Sequence, residues 1–188
     1  MHKSGRDTVH AKDRIGLNRG YVQVYTGNGK GKTTAAIGLT IRAIGAGLKV
    51  YIAQFMKNGD SSEYGVIKKM ANNVQIDSFM TQNTADIQGK IDTSQKPFDW
   101  QSRLKEAFFS QEYDVVILEE VNMAVIYGLL TTEDLLKMID LKPPSVELVM
   151  TGRYAHPDIL DKADLVTEMK EVKHYYKAGV NARVGIER

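Results

Sequence analysis

Tyr21-Val22-Gln23-Val24-Tyr25 runs straight into Thr26-Gly27-Asn28-Gly29-Lys30-Gly31-Lys32-Thr33-Thr34, and the reading of this stretch decides the fold. The alternating apolar run reads as a strand. Three glycines in five positions then let the backbone curl until successive N–H groups face a single anion. Ala36, Leu39, Thr40, Ala43 and Ile44 follow at helical spacing, with Gly45 and Gly47 as a stop, so residues 33–46 read as a helix whose N-terminus adds partial positive charge to the loop. Lys32 is placed to reach phosphate oxygens, and the Thr33 hydroxyl to ligate a divalent cation. The spacing departs from G-x-x-x-x-G-K-[ST] at one point, where Thr26 stands in place of the first glycine. A glycine-rich turn with a chance Lys-Thr would lack the strand before it and the helix after it.

Outward from the loop, the same rhythm continues. Residues 48–55 read as a strand, 62–72 as a helix and 74–79 as a third strand. Residues 80–95, rich in Thr, Asn, Asp and Gln, read as a long functional loop. Pro97 has the look of a first-turn proline for a helix carrying Phe98, Trp100, Leu104, Phe108 and Phe109. The β-branched run 113–118 reads as a doubly covered central strand of a parallel sheet. Short helices at 121–127 and 132–139, the second capped by Thr131 or Thr132, lead past Pro143-Pro144 to a buried strand at 146–150. A helix at 156–162 and a last strand at 165–169 complete the pattern. Strands alternating with helices predict an α/β, three-layer P-loop NTPase-like fold with a mainly parallel central sheet and ligands at the carboxyl ends of the strands.

A chain of 188 residues, 43% hydrophobic, is the size of one domain. Residues 1–19 are polar and basic and read as a flexible segment, or one that orders over a ligand; residues 20–188 form the domain. With 25 Lys plus Arg against 23 Asp plus Glu, the net charge of +2 gives no nucleic-acid or membrane footprint. The absence of cysteine excludes disulfides, thiolate metal sites and a cysteine nucleophile. No stretch has the apolar length of a membrane span, and the default location is the cytoplasm.

Two further constellations fall at strand ends. Glu119-Glu120 follows the central strand, where one carboxylate can hold Mg²⁺ (or Mn²⁺) and its neighbour can orient a water or accept a proton; the sequence leaves open which does which. Arg153 leaves the 146–150 strand at the edge the phosphate loop occupies, placed to neutralise phosphate charge. The basic, aromatic segment 170–179 reads either as a solvated tail or as a surface for a large planar ligand.

Taken together, TGNGKGKTTAA, VILEEVN with Tyr127-Gly128, LVMTGR with Ala155-His156-Pro157, and ADLVTEMKEVKHYYKAGVNARVGIE resemble the corrinoid adenosyltransferases that act on cob(I)alamin with ATP, over residues 19–187. The resemblance implies transfer of the 5′-deoxyadenosyl group of ATP to the cobalt of a reduced corrinoid, with release of triphosphate, in cobalamin biosynthesis or salvage. It implies that Gly27, Asn28, Gly29, Lys30, Gly31, Lys32, Thr33 and Thr34 bind the triphosphate, with Arg42 and Arg153 near ATP. Lys32 and Glu120 would carry catalysis, and Thr33, Glu120 and Glu119 the metal. Phe79, His174 and Tyr176 are the corrinoid-side candidates. Phe79 stands in the 77–82 segment, where the family usually carries Gly-x-Gly-Phe-Thr-Trp. An electron-donating flavoprotein reductase and a homodimer follow as partners. A P-loop ATPase or kinase, and a nucleotide-dependent corrinoid carrier without turnover, are the alternatives; the products separate them.

Overall fold

The computed structural model describes residues 16–56, 62–70, 72–79 and 99–187. The expected loop at 80–95, Pro97, and all but the last four residues of the polar 1–19 segment lie outside them. The elements follow in the order β1 (Val22–Thr26), α1 (Lys32–Gly45), β2 (Val50–Gln54), α2 (Ser62–Met70), β3 (Val74–Ser78) and α3 (Trp100–Phe109). Then come β4 (Val115–Glu119), α4 (Val121–Ile126), α5 (Thr132–Leu141), β5 (Glu147–Thr151), α6 (Pro157–Lys162) and β6 (Leu165–Glu168), and a 3₁₀ turn at Tyr175–Ala178.

The six strands form one sheet in the order β3-β2-β4-β5-β1-β6, every neighbouring pair parallel. The expected α/β fold with a mainly parallel sheet is thus an all-parallel one, and β4 lies at its centre. Side chains alternate across each strand and feed two cores. Val50, Ile52, Val115, Ile117 and Val149 pack with Ala36 and Ala43 of α1 and with Tyr64 and Ile67 of α2. Tyr51, Ala53, Val116, Leu118, Leu148 and Met150 pack on the other face with residues of α3 to α6. The result is three layers, with α1 and α2 on one side and α3 to α6 on the other.

Local chemistry sets the helix ends. Thr131 caps α5 through a reciprocal capping box with Asp134. Asp99, whose side chain accepts from the Ser102 N–H at 3.1 Å, opens α3 at Trp100, so this helix starts later than a first-turn Pro97 would put it. No helix among the described residues is long and apolar enough to cross a membrane.

Candidate active site at the phosphate loop

β1 delivers the chain to the loop and α1 takes it away. Thr26, at the position of the usual first glycine, is still the last residue of β1, paired with Glu168, and its backbone needs no glycine there. Gly31 caps α1 at φ 122° with no side-chain hydrogen bond, which leaves the first-turn amides of the helix available to an anion. Gly29 is demanded by close approach: a Cβ there would lie 2.6 Å from the Met169 carbonyl oxygen, to which the Gly29 N–H donates. Lys32 is buried inside the loop, its ammonium donating to the carbonyls of Gly27 (2.6 Å) and Gly29 (2.7 Å). Burial lowers its pKa below the ordinary lysine value; Glu120 and, more weakly, Glu119 oppose that shift, and Arg153 adds to it.

Gln54, Glu119 and Thr151 continue the columns that Ile52, Ile117 and Val149 begin on the α1 face, so the apolar core ends in a polar layer under the loop. Glu119 is fully buried and both its oxygens are engaged. Oε1 accepts from the Thr33 hydroxyl at 2.5 Å, and Oε2 from the Thr151 hydroxyl at 2.6 Å. Thr151 Oγ1 in turn accepts from the Glu120 N–H at 2.9 Å. That contact holds Glu120 in the left-handed region at φ 59°, at the cap of α4 and in the wall of the cavity. Gly152, at φ 127°, lets β5 pass against Asn122, whose amide donates to the Gly152 carbonyl at 3.1 Å, and the bend turns Arg153 into the same cavity.

The cavity has a volume of about 630 Å³. The loop from Gly29 to Thr34, Glu120 and Arg153 form its polar side, and Ile37 and Val66 an apolar one. His174, Gly185, Ile186 and Glu187 close it from the C-terminal segment. Its oxygen donors suit a hard divalent cation. The Thr33 hydroxyl donates its proton to Glu119 and keeps its lone pairs, and Glu120 carries the carboxylate open to the cavity. No cluster of three or more His, Cys, Asp or Glu side chains occurs among the described residues, so a cation here would complete its shell with phosphate and water oxygens, the usual habit of Mg²⁺.

The other expected site residues are spread more widely. Arg42 lies in the last turn of α1, ten residues and about 15 Å along the axis from Lys32, and is absent from the cavity wall; the physical reason is the rise of the helix that carries it. Phe79 is buried in the core, stacked on Phe55 at 5.4 Å, with Trp100 edge-on to Phe55. His174 Nδ1 accepts from the Tyr176 N–H, and Tyr176 itself is 70% exposed. Sequence reasoning missed Thr151, Met169 and Glu187. All three fall in the stretches that carry the family resemblance, and Thr151 is in addition the hydroxyl-bearing residue ending a buried strand beside Glu119.

A strand, a glycine loop enclosing a buried lysine, a helix N-terminus and an acidic strand end in an all-parallel α/β sheet define a P-loop-type nucleotide-binding protein. Residues 18–188 match the family described as ATP:corrinoid adenosyltransferase BtuR/CobO/CobP, and the chain belongs to that family. It is 37% identical over 171 residues to the corrinoid adenosyltransferase of Escherichia coli strain K12, covering 90% of this chain and 86% of that one. Identity and coverage are the same for the corrinoid adenosyltransferase CobA of Salmonella typhimurium. The corrinoid adenosyltransferase of Pseudomonas aeruginosa is 35% identical over 173 residues, covering 90% of this chain and 84% of its own.

Proposed function

We propose that this chain transfers the 5′-deoxyadenosyl group of ATP to the cobalt of a reduced corrinoid and releases triphosphate. The observation that carries the reading is the buried Lys32, held inside a glycine loop that opens on a cavity shared with Thr33, Glu120 and Arg153, in a chain that matches its family from residue 18 to residue 188. Co(I) of the substrate is the nucleophile: the Co–C5′ bond forms from its electron pair as the C5′–O bond breaks, and that bond's electrons leave on triphosphate. No protein nucleophile is required. The chain has to align the two reactants and stabilise charge growing on the departing oxygen.

In this reading the amides of the loop and of the first turn of α1, with Lys32 and Arg153, hold the triphosphate. Thr33 and Glu120 hold the divalent cation, and Glu119 fixes the Thr33 rotamer from below. Mg²⁺, when bound, adds positive charge against the phosphate oxygens. Asn28, Lys30 and Thr34 belong to the same triphosphate set, and His174 to the wall on the far side of the cavity. A flavoprotein reductase supplying the reduced corrinoid, a homodimeric assembly and a cytoplasmic location complete the proposal.

The test is an anaerobic incubation of the protein with ATP, Mg²⁺ and chemically reduced cobalamin, read by visible spectroscopy and by assay of inorganic triphosphate. Light-sensitive adenosylcobalamin with equimolar triphosphate is expected. Orthophosphate without a cobalt–carbon product would overturn the reading in favour of an ATPase, and binding without any product in favour of a carrier.

A further inference from the structure

The segment after β6 is tied to the phosphate loop at two points. The first is the Gly29 N–H on the Met169 carbonyl at 2.6 Å. The second is Lys30, whose ammonium donates to the Tyr175 hydroxyl oxygen (3.1 Å), the Ile186 carbonyl (2.9 Å) and Glu187 Oε1 (2.9 Å). Glu187 is fixed within the strap by Arg183, through its backbone N–H and its guanidinium, and by the Tyr175 hydroxyl. Both Lys30 and Glu187 stand in the cavity wall.

Donor counting makes these ties exclusive. An ammonium has three N–H groups, and Lys30 spends all three on the strap. Among the described residues Lys32, two residues on, donates only to carbonyls of its own loop. Lys30 can therefore address a phosphate oxygen only by giving up a strap contact, and the Gly29 amide only by leaving Met169.

We propose that Glu187 is a positioning residue that acts through Lys30. Its carboxylate is an internal stand-in for polyphosphate, holding the lysine and the strap on the loop until an entering triphosphate group takes the lysine over, and reclaiming it as triphosphate leaves. The proposal rests on the triphosphate-binding reading above. Strap attachment and polyphosphate binding are then coupled with opposite sign, and the coupling is reciprocal.

The experiment is calorimetric titration of the full chain with inorganic triphosphate, comparing the unsubstituted protein with Glu187→Gln, Lys30→Met and the double variant. Glu187→Gln should bind triphosphate on the order of threefold more tightly, the scale of one exposed ion pair released. The double variant should match Lys30→Met alone. Trypsin should cut the strap, at Lys173, Lys177 and Arg183, faster with triphosphate present than without it. Weaker or unchanged binding by Glu187→Gln overturns the proposal. So does tightening that persists in the Lys30→Met background, which would be simple charge repulsion, and so does protection of the strap by triphosphate. Failure of the unsubstituted chain to bind triphosphate at all overturns the reading underneath, and the latch with it.

Discussion

Gln54 and Glu119 are register partners at the carboxyl ends of β2 and β4, buried side by side, yet among the described residues only the glutamate side chain has hydrogen-bond partners. A buried carboxamide with neither atom bonded costs stability relative to an apolar side chain of its size. Gln54→Met should therefore raise the unfolding free energy by about 1 kcal/mol, a rise in Tm of roughly 2–4 °C for a domain of this length. Differential scanning calorimetry decides it, and a lower Tm would mean that the amide is satisfied in solution.

The two adjacent glutamates should separate by what each variant loses. Glu119→Gln cannot serve Thr33 and Thr151 as an ionised acceptor and should cost roughly 1–3 kcal/mol in urea unfolding. Glu120→Gln, at the cavity wall, should unfold within about 0.5 kcal/mol of the parent but need more Mg²⁺ for ATP binding. Equal losses of stability in the two would show that Glu120 is also structural.

Lys32 makes both stability and binding depend on pH in the alkaline range. Its folded pKa lies below the ordinary value of 10.5 because burial penalises the ammonium. Between that lowered value and 10.5 the unfolded chain holds a proton that the folded chain has lost, so this residue's contribution to stability rises with pH across the window. ATP affinity should fall across the same window, since the phosphates need the charged form. Lys32→Ala should weaken ATP binding at neutral pH by at least about tenfold, the scale of a charge-assisted hydrogen bond, and abolish that alkaline decline. A decline that survives in the variant would assign it to another group.

Phe79→Ala is expected to behave as a core truncation. With the ring stacked on Phe55 and 5% exposed, its loss should cost about 3–5 kcal/mol by chemical denaturation. ATP affinity of the folded protein should stay unchanged. A stable variant impaired only in the cobalt step would return Phe79 to the corrinoid side.

The fold was legible because its signals are local. Val22 to Thr34 carries strand, loop and helix start within thirteen residues, and 113–118 is apolar at every step but one, as a doubly covered strand must be. The site was legible where a motif is contiguous, as in Lys32 and Thr33 or in Glu119 and Glu120. Arg42 shows the limit of reading along a helix: the side chain is on the right element but at its far end. Phe79 shows another, since an aromatic residue at a strand end can pack downwards as readily as face a ligand. Glu187 could not have been found by spacing, because it meets Lys30 across 157 positions through a strap whose regular structure is a single 3₁₀ turn at Tyr175–Ala178.

The placement of β1 between β5 and β6 sets the order in which the molecule can be made. The first strand is synthesised without a neighbour and waits until residues 147–151, and then 165–168, emerge to pair with it. The phosphate loop, anchored on that strand and on Met169, is translated well before the residues that fix its shape. Any ligand that needs the shaped loop is therefore expected to meet it only after residue 169 has emerged, long after the loop's own residues have been made.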